Sequence, residues 1–308
     1  MNVLLWHVHG SWTTSFVQGK HRYLIPVNDA RDEWGRGRAR TFEWPASAEE
    51  IALDDVTDVD VAVVQRPEEL ERVPRGVPVI YVEHNTPTGD VPYSRHPMAD
   101  RDGLVVAHVT HFNELFWDTG GTRTTVIEHG IVEPAARWTG DLERLAVVTN
   151  EPVRRGRVTG TDLYPRFARV APLDVFGMGV RGLRGERITA YDDPPQARMH
   201  AAIARRRAYL HVCRWTSLGL SLIEAMQMGM PVLGLATTEA VAAVPPDAGV
   251  LATRVDTLVE AAQWLIDEPG QARRLGDRAR QVALARFGLD RFLADWDRLL
   301  EEEVCTSR

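Results

Sequence analysis

Short apolar runs recur along this chain at lengths that suit buried strands. In the first part they fall at residues 2–8, 59–64, 77–82, 104–109 and 124–127. Stretches of helical character, such as 66–72 and 110–117, lie between them. A second series follows at 145–149, 170–176, 187–190, 209–213, 232–235 and 249–251. Strands alternating with helices predict an α/β protein with parallel sheets covered on both faces. The end of the chain is helical. Leu258, Ala261, Ala262 and Leu265 keep the spacing of an amphipathic helix, as do Phe292, Trp296, Leu299 and Leu300. Pro269-Gly270 and Gly288 are expected to separate these last helices. His9 to Ser15 reads as a polar turn opening a segment of unassigned type, and residues 27–46 show no periodicity and read as loop or edge.

The alternation breaks at residues 128–134, and 135–141 are polar and turn-like. The expected division is therefore an N-terminal domain over 1–135, a second domain over 136–288, and a C-terminal helix over 289–308 packing back on the first domain. A chain of 308 residues holds two cores of roughly 150 residues each. The formal charge of −7 argues against nucleic acid as the main partner. Arginine is nevertheless dense at 36–40, 154–157 and 205–207, local patches that can meet phosphates or an anionic surface. Of two cysteines, Cys213 falls in an expected buried strand and Cys305 in the tail, which makes neither a disulfide framework nor a zinc site. No apolar run approaches the roughly 20 residues that span a bilayer, and residues 1–6 lack the basic lead of a secretory signal. The expected location is the cytoplasm, with membrane contact at most peripheral.

Candidate chemistry concentrates in residues 208–235. A short apolar run ends in the glycine-containing turn Arg214-Trp215-Thr216-Ser217-Leu218-Gly219, then come helix formers from Leu220 to Met228, then Gly229, Pro231 and a further strand. This is a βαβ unit whose helix N-terminus offers free N–H groups and a positive dipole end to an anion. Glu224, one to two turns inside, can accept hydrogen bonds from a sugar diol, or be a solvated carboxylate on an ordinary βαβ unit. In the first part, Gly10 after the first strand permits close backbone approach, and His84 stands at a strand end where an imidazole can hydrogen-bond a sugar, move a proton or cap the strand. The pairs His7/His9 and His108/His111 have no carboxylate or cysteine nearby to complete a metal site. Tryptophans 6, 12, 34, 44, 117 and 138 are assigned to the first domain, mostly as packing groups.

The run Thr216-Ser217-Leu218-Gly219-Leu220-Ser221-Leu222-Ile223-Glu224-Ala225-Met226, then Gly229-Met230-Pro231-Val232, resembles the donor-site signature E-G-F-G-L-x-x-x-E-A-M-A-x-G-x-P-V. That signature belongs to GT-B glycosyltransferases, closest to the retaining enzymes of family four. His129-Gly130-Ile131-Val132 resembles the N-G-V-D of the interdomain crossing in that family, and Arg154 through Leu163 resembles its R-x-x-x-x-K-G-x-D-x-L. The segment around His84 is similar to its t-x-H-d. The resemblance implies two Rossmann-like doubly wound domains facing a cleft, with a helical tail.

It also implies transfer of a sugar, with retained configuration, from a nucleotide-diphosphate sugar used as co-substrate, with no cofactor and no metal. By position Glu224 takes the nucleotide ribose and Arg154 the diphosphate, with the N–H groups near Gly219 and Leu220 assisting. By the same resemblance the segment with His84 faces the cleft, where the imidazole can hydrogen-bond the sugar or move a proton. Two positions depart from the pattern: Thr216 replaces the first glutamate, which holds the donor sugar, and Thr159 replaces the diphosphate lysine, a charge that Arg155 or Arg157 can supply. The acceptor stays open between natural product, glycolipid and polysaccharide. Alternatives on the same fold are a non-catalytic binding protein and a nucleotide-sugar epimerase or hydrolase.

Overall fold

The computed structural model describes residues 1–40 and 42–306, so Thr41 of the expected loop and residues 307 and 308 of the expected tail lie outside the described residues. The chain divides into two compact units. One comprises Met1–Val132 together with the chain from Phe287 onward, and the other Glu133–Arg286.

The first unit holds β1 (Asn2–Leu5), β2 (Arg22–Pro26), β3 (Ala48–Ile51), β4 (Val61–Val64), β5 (Val79–Glu83), β6 (Leu104–His108) and β7 (Arg123–Val126). They form one sheet in the order β3-β2-β1-β4-β5-β6-β7, parallel throughout. One face packs Leu4, Trp6, Leu24, Ala62, Val64, Tyr81 and Val106 with Met98 into a core. Trp12 and Phe16 stack on each other at 4.9 Å and meet Trp296 edge-on at 5.6 and 5.0 Å. The C-terminal helix Leu289–Thr306 is thus part of this unit's core. Gly130 lies so close to Phe292 that any side chain there would strike its Cβ.

The second unit holds β8 (Leu142–Val148), β9 (Leu173–Gly177), β10 (Ile188–Asp192), β11 (Arg206–His211), β12 (Val232–Leu235) and β13 (Gly249–Ala252), ordered β10-β9-β8-β11-β12-β13 and again parallel. Both orders reverse direction beside the unit's first strand, between β1 and β4 and between β8 and β11. In open parallel sheets, ligands bind outside the carboxyl ends of the strands at such switch points.

Several expectations are corrected. His9 to Ser15 is no turn but the start of a helix, Gly10–Phe16, formed by burying Trp12 and Phe16 one turn apart. The expected helix at 66–72 is a tighter 3₁₀ turn, Pro67–Arg72. The last helices do part where expected: Val255–Asp267 ends just before Pro269, which opens Pro269–Phe287 because proline at a first helical position lacks only an N–H that has no helical partner, and Gly288 separates that helix from Leu289–Thr306. Arg206 and Arg207 are buried rather than presented as a surface patch, and Trp138 belongs to the second unit. Cys213 falls two residues beyond its strand and is half-buried. Among the described residues no helix is long and apolar enough to cross a membrane.

Candidate functional site

In the second unit, the loops after β8 and β11 meet at the switch point. The segment after β8 turns through the short helix Gly156–Thr159 and Gly160, whose left-handed φ of 76° and contact with the Val212 carbonyl leave no room for a side chain. The N–H of Arg214 donates to the Val158 carbonyl at 2.7 Å, tying the second loop to the first. Arg214 also holds Asp162 at 2.6 and 2.8 Å and keeps its carboxyl below the usual carboxylate range. Arg214, two residues before Thr216, thus fastens the loop that carries the basic segment 154–157.

The arginines in this loop differ in their engagement. Arg154 is exposed and lies 3.6 Å from Glu151, while Arg157 leans on Asp162 at 3.2 Å. Arg155 is exposed and caps the short helix. Thr159 is buried, and its hydroxyl is spent inside the loop on the Arg155 carbonyl (3.3 Å) and the Thr161 hydroxyl (2.9 Å). It supplies nothing in place of a lysine.

The helix Leu220–Met228 starts at Gly219, with extended φ −69° and ψ 121° and no side-chain cap. Ser217 and Leu218 are buried, whereas Thr216, Gly219 and Leu220 are partly exposed. A side chain at Gly219 would approach His211 to 3.3 Å, and burial pushes the His211 imidazole down to about 4. Glu224 is 5% exposed yet carries a carboxylate, so it needs partners. Gln196 donates to its Oε1 at 2.9 Å, and His200 Nε2 lies 3.2 Å from Oε2, off the hydrogen-bonding direction. Gln196 and His200 are one turn apart on the helix Gln196–Ile203. Their i,i+4 spacing was the readable signal for a pair that sequence reasoning missed.

In the first unit, His84 follows β5 immediately. Its ring stacks on His9 at 4.0 Å and lies 6.4 Å from His129, with Trp12 edge-on at 5.2 Å. His9 is fixed by Gln65 at 3.0 Å, across the switch point between β1 and β4. Only His84 of this column was expected, because the members come from the ends of different strands. Gly10 begins its helix beside His7 and Phe42, at 3.6 and 3.3 Å from where a side chain would start. Among the described residues no three histidine, cysteine, aspartate or glutamate side chains converge on a point that would suit a metal ion.

Burial, with repulsion from His9 and His129, lowers His84 well below its ordinary value. Burial likewise takes His129 to about 3 and His108 to about 4. These imidazoles stay neutral when folded but accept protons near pH 6.5 when unfolded. The unfolded chain therefore binds more protons below that pH. Stability is complete above about 6.5 and falls as pH drops toward 4, by up to about 1.4 kcal/mol per pH unit for each such histidine. Urea midpoints should fall steeply between pH 7 and 5; a flat profile would contradict neutral burial.

The class of protein follows from the architecture: two parallel, doubly wound units make a GT-B fold. The chain superimposes on sucrose-phosphate synthase from Thermosynechococcus elongatus with a TM-score of 0.75 at 14% identity, covering 99% of this chain and 100% of that one. It matches the Anabaena protein HepE, solved in complex with UDP, at TM-score 0.73 and 12% identity over 98% and 99% of the two chains. A glycosyltransferase involved in avilamycin A biosynthesis matches at 0.69 and 14% identity over 99% and 98%. Residues 185–282 match the family model described as Glycosyl transferases group 1. The matched segment includes Glu224 and the helix start at Gly219. No curated protein matches the chain.

Proposed function

We propose that this chain is a retaining glycosyltransferase that moves a sugar from a nucleoside-diphosphate sugar to an acceptor in the cytoplasm, without a metal. The observation that carries this reading is Glu224: a buried carboxylate, oriented by Gln196, behind an uncapped helix start at the carboxyl end of β11. Such a carboxylate suits the two hydroxyls of a ribose, and the N–H groups at Gly219 and Leu220 suit a diphosphate. Arg154 and Arg155, exposed on the adjoining loop, supply charge to the leaving group as its oxygen becomes anionic. Structural relatives solved with UDP or UDP-glucose support a uridine nucleotide as the first donor to try.

In the reaction proposed, the bond from the sugar's anomeric carbon to the diphosphate breaks. A bond from that carbon to the acceptor oxygen forms on the same face, and the acceptor's proton passes to the departing phosphate. No enzymic nucleophile is needed. His84, kept neutral by burial, is the group of the first unit proposed to orient a sugar hydroxyl.

Calorimetric titration with UDP and UDP-glucose, followed by assay of UDP release with acceptors, tests this reading. Arg154→Ala should weaken UDP by about tenfold, as loss of one charge-assisted contact does; unchanged affinity would remove Arg154 from the site. Thr159 favours a second reading, since its hydroxyl is committed within the loop and one diphosphate cation is missing. Tight UDP-sugar binding with no release or transfer across an acceptor panel would support a binding protein instead.

A further inference from the structure

The loop between β2 and β3 builds a feature that the donor site does not use. A cavity of about 480 Å³, within the size range of small-molecule sites, is lined by His7, Ala30, Arg31, Arg36, Arg38 and Arg40. Its walls come from the segments that leave the carboxyl ends of β1 and β2, neighbours in the first unit's sheet. Four of its six lining residues are arginines and none is acidic, among the described residues.

The four guanidinium groups divide into two tasks. Arg31 is held by Glu50 through paired bonds of 2.9 and 3.0 Å. Arg38 donates to the carbonyls of Trp44 (2.7 Å), Pro45 (3.2 Å) and Ala48 (2.6 Å), which shapes the loop. Gly37, at φ 70°, passes so close to Glu50 and Arg31 that a side chain there would strike both. These contacts make the wall a built structure. Arg36 and Arg40 do none of this work: both are exposed, and neither side chain has a partner among the described residues. Among the described residues Glu50 is the one carboxylate bonded to a lining arginine, so three of the four lining guanidinium groups have no carboxylate partner. Like charges gathered around a concavity repel one another and concentrate anions. His7 donates through Nδ1 to the Gly37 carbonyl at 3.0 Å, which fixes its ring and leaves Nε2 as an acceptor for a neighbouring hydroxyl.

We infer that this cavity binds an anionic group, a phosphate or a carboxylate, of the acceptor, with Arg36 and Arg40 as its direct ligands. Calling the ligand an acceptor rests on the glycosyltransferase reading above; the anion site itself does not. Guanidinium groups recognise both anions through paired N–H donors, and a phosphate has oxygens enough for Arg36, Arg40 and an incoming hydroxyl contact at once.

The test uses the full chain at low ionic strength, with inorganic phosphate and acetate as probes, titrated by calorimetry and by phosphorus NMR line width. Two proteins are compared, the natural chain and Arg36→Gln/Arg40→Gln, each with excess UDP present so that the diphosphate site is filled. Phosphate should bind the natural chain and lose about tenfold or more in the double variant. Acetate with the same arginine dependence would show that a carboxylate is accepted; its failure to bind would assign the site to phosphate. The double variant should melt with the natural chain and keep its UDP affinity. Phosphate binding that is absent, or unchanged in the double variant, overturns the proposal. Failure of UDP to bind the natural chain would sink the donor reading and leave this result standing.

Discussion

Glu224→Gln is expected to lower UDP affinity by about 10–100-fold while leaving the melting temperature unchanged. Glutamine has the shape of glutamate and keeps an oxygen for the Gln196 amide, which donates at 2.9 Å. What disappears is the charge, and with it acceptance of two ribose hydroxyls by one carboxylate. A hydrogen bond to an ionised group contributes roughly 1.5–3 kcal/mol, against about 1 for a neutral one. Gln196→Ala should weaken binding by less, since Glu224 keeps its charge and loses only its orientation. Calorimetry with UDP reads both variants. Equal affinity for Glu224→Gln and the natural chain would remove the carboxylate from the nucleotide site.

The largest stability effect is expected at Asp174, which is 0% exposed on β9. Its carboxylate receives Arg144 Nε at 2.7 Å and Arg206 Nε at 2.8 Å, from the neighbouring β8 and from β11 beyond it. Arg206 also lies over the rings of Phe176 and Tyr191, at 5.4 and 5.9 Å. Asp174→Ala leaves a buried guanidinium without its counter-charge, which costs about 3–5 kcal/mol. For a unit of this size that lowers the melting temperature by roughly 10 °C or more. Pairing it with Arg206→Met should recover part of the loss, because the uncompensated charge is then gone too. A single variant that melts within a degree or two of the natural chain would show that the cluster contributes little.

The central strands were legible as apolar runs because they are covered on both faces, as β4 (Val61–Val64) and β12 (Val232–Leu235) show. β3 was missed because it is an edge strand whose Glu49 and Glu50 pair with Arg22 and Arg31 outside the core. β2 is well buried but ends in Pro26, and it is followed by a loop without periodicity. Glu224 was legible because its helix, glycines and proline form one local motif. The His9, His84 and His129 column was not, since its members come from the ends of three different strands.

The sequence by itself determined the strand–helix alternation, the βαβ unit with Glu224 and the abundance of arginine in three short segments, all of which depend on neighbours within a few residues. Only the tertiary structure decided which arginines are ligand candidates. Arg206 and Arg207 are buried in the second unit, Arg38 holds its own loop, and Arg36 and Arg40 are left facing a cavity. The reason is physical: a guanidinium's availability depends on the carbonyls and carboxylates within about 3 Å, and those come from residues distant in the chain.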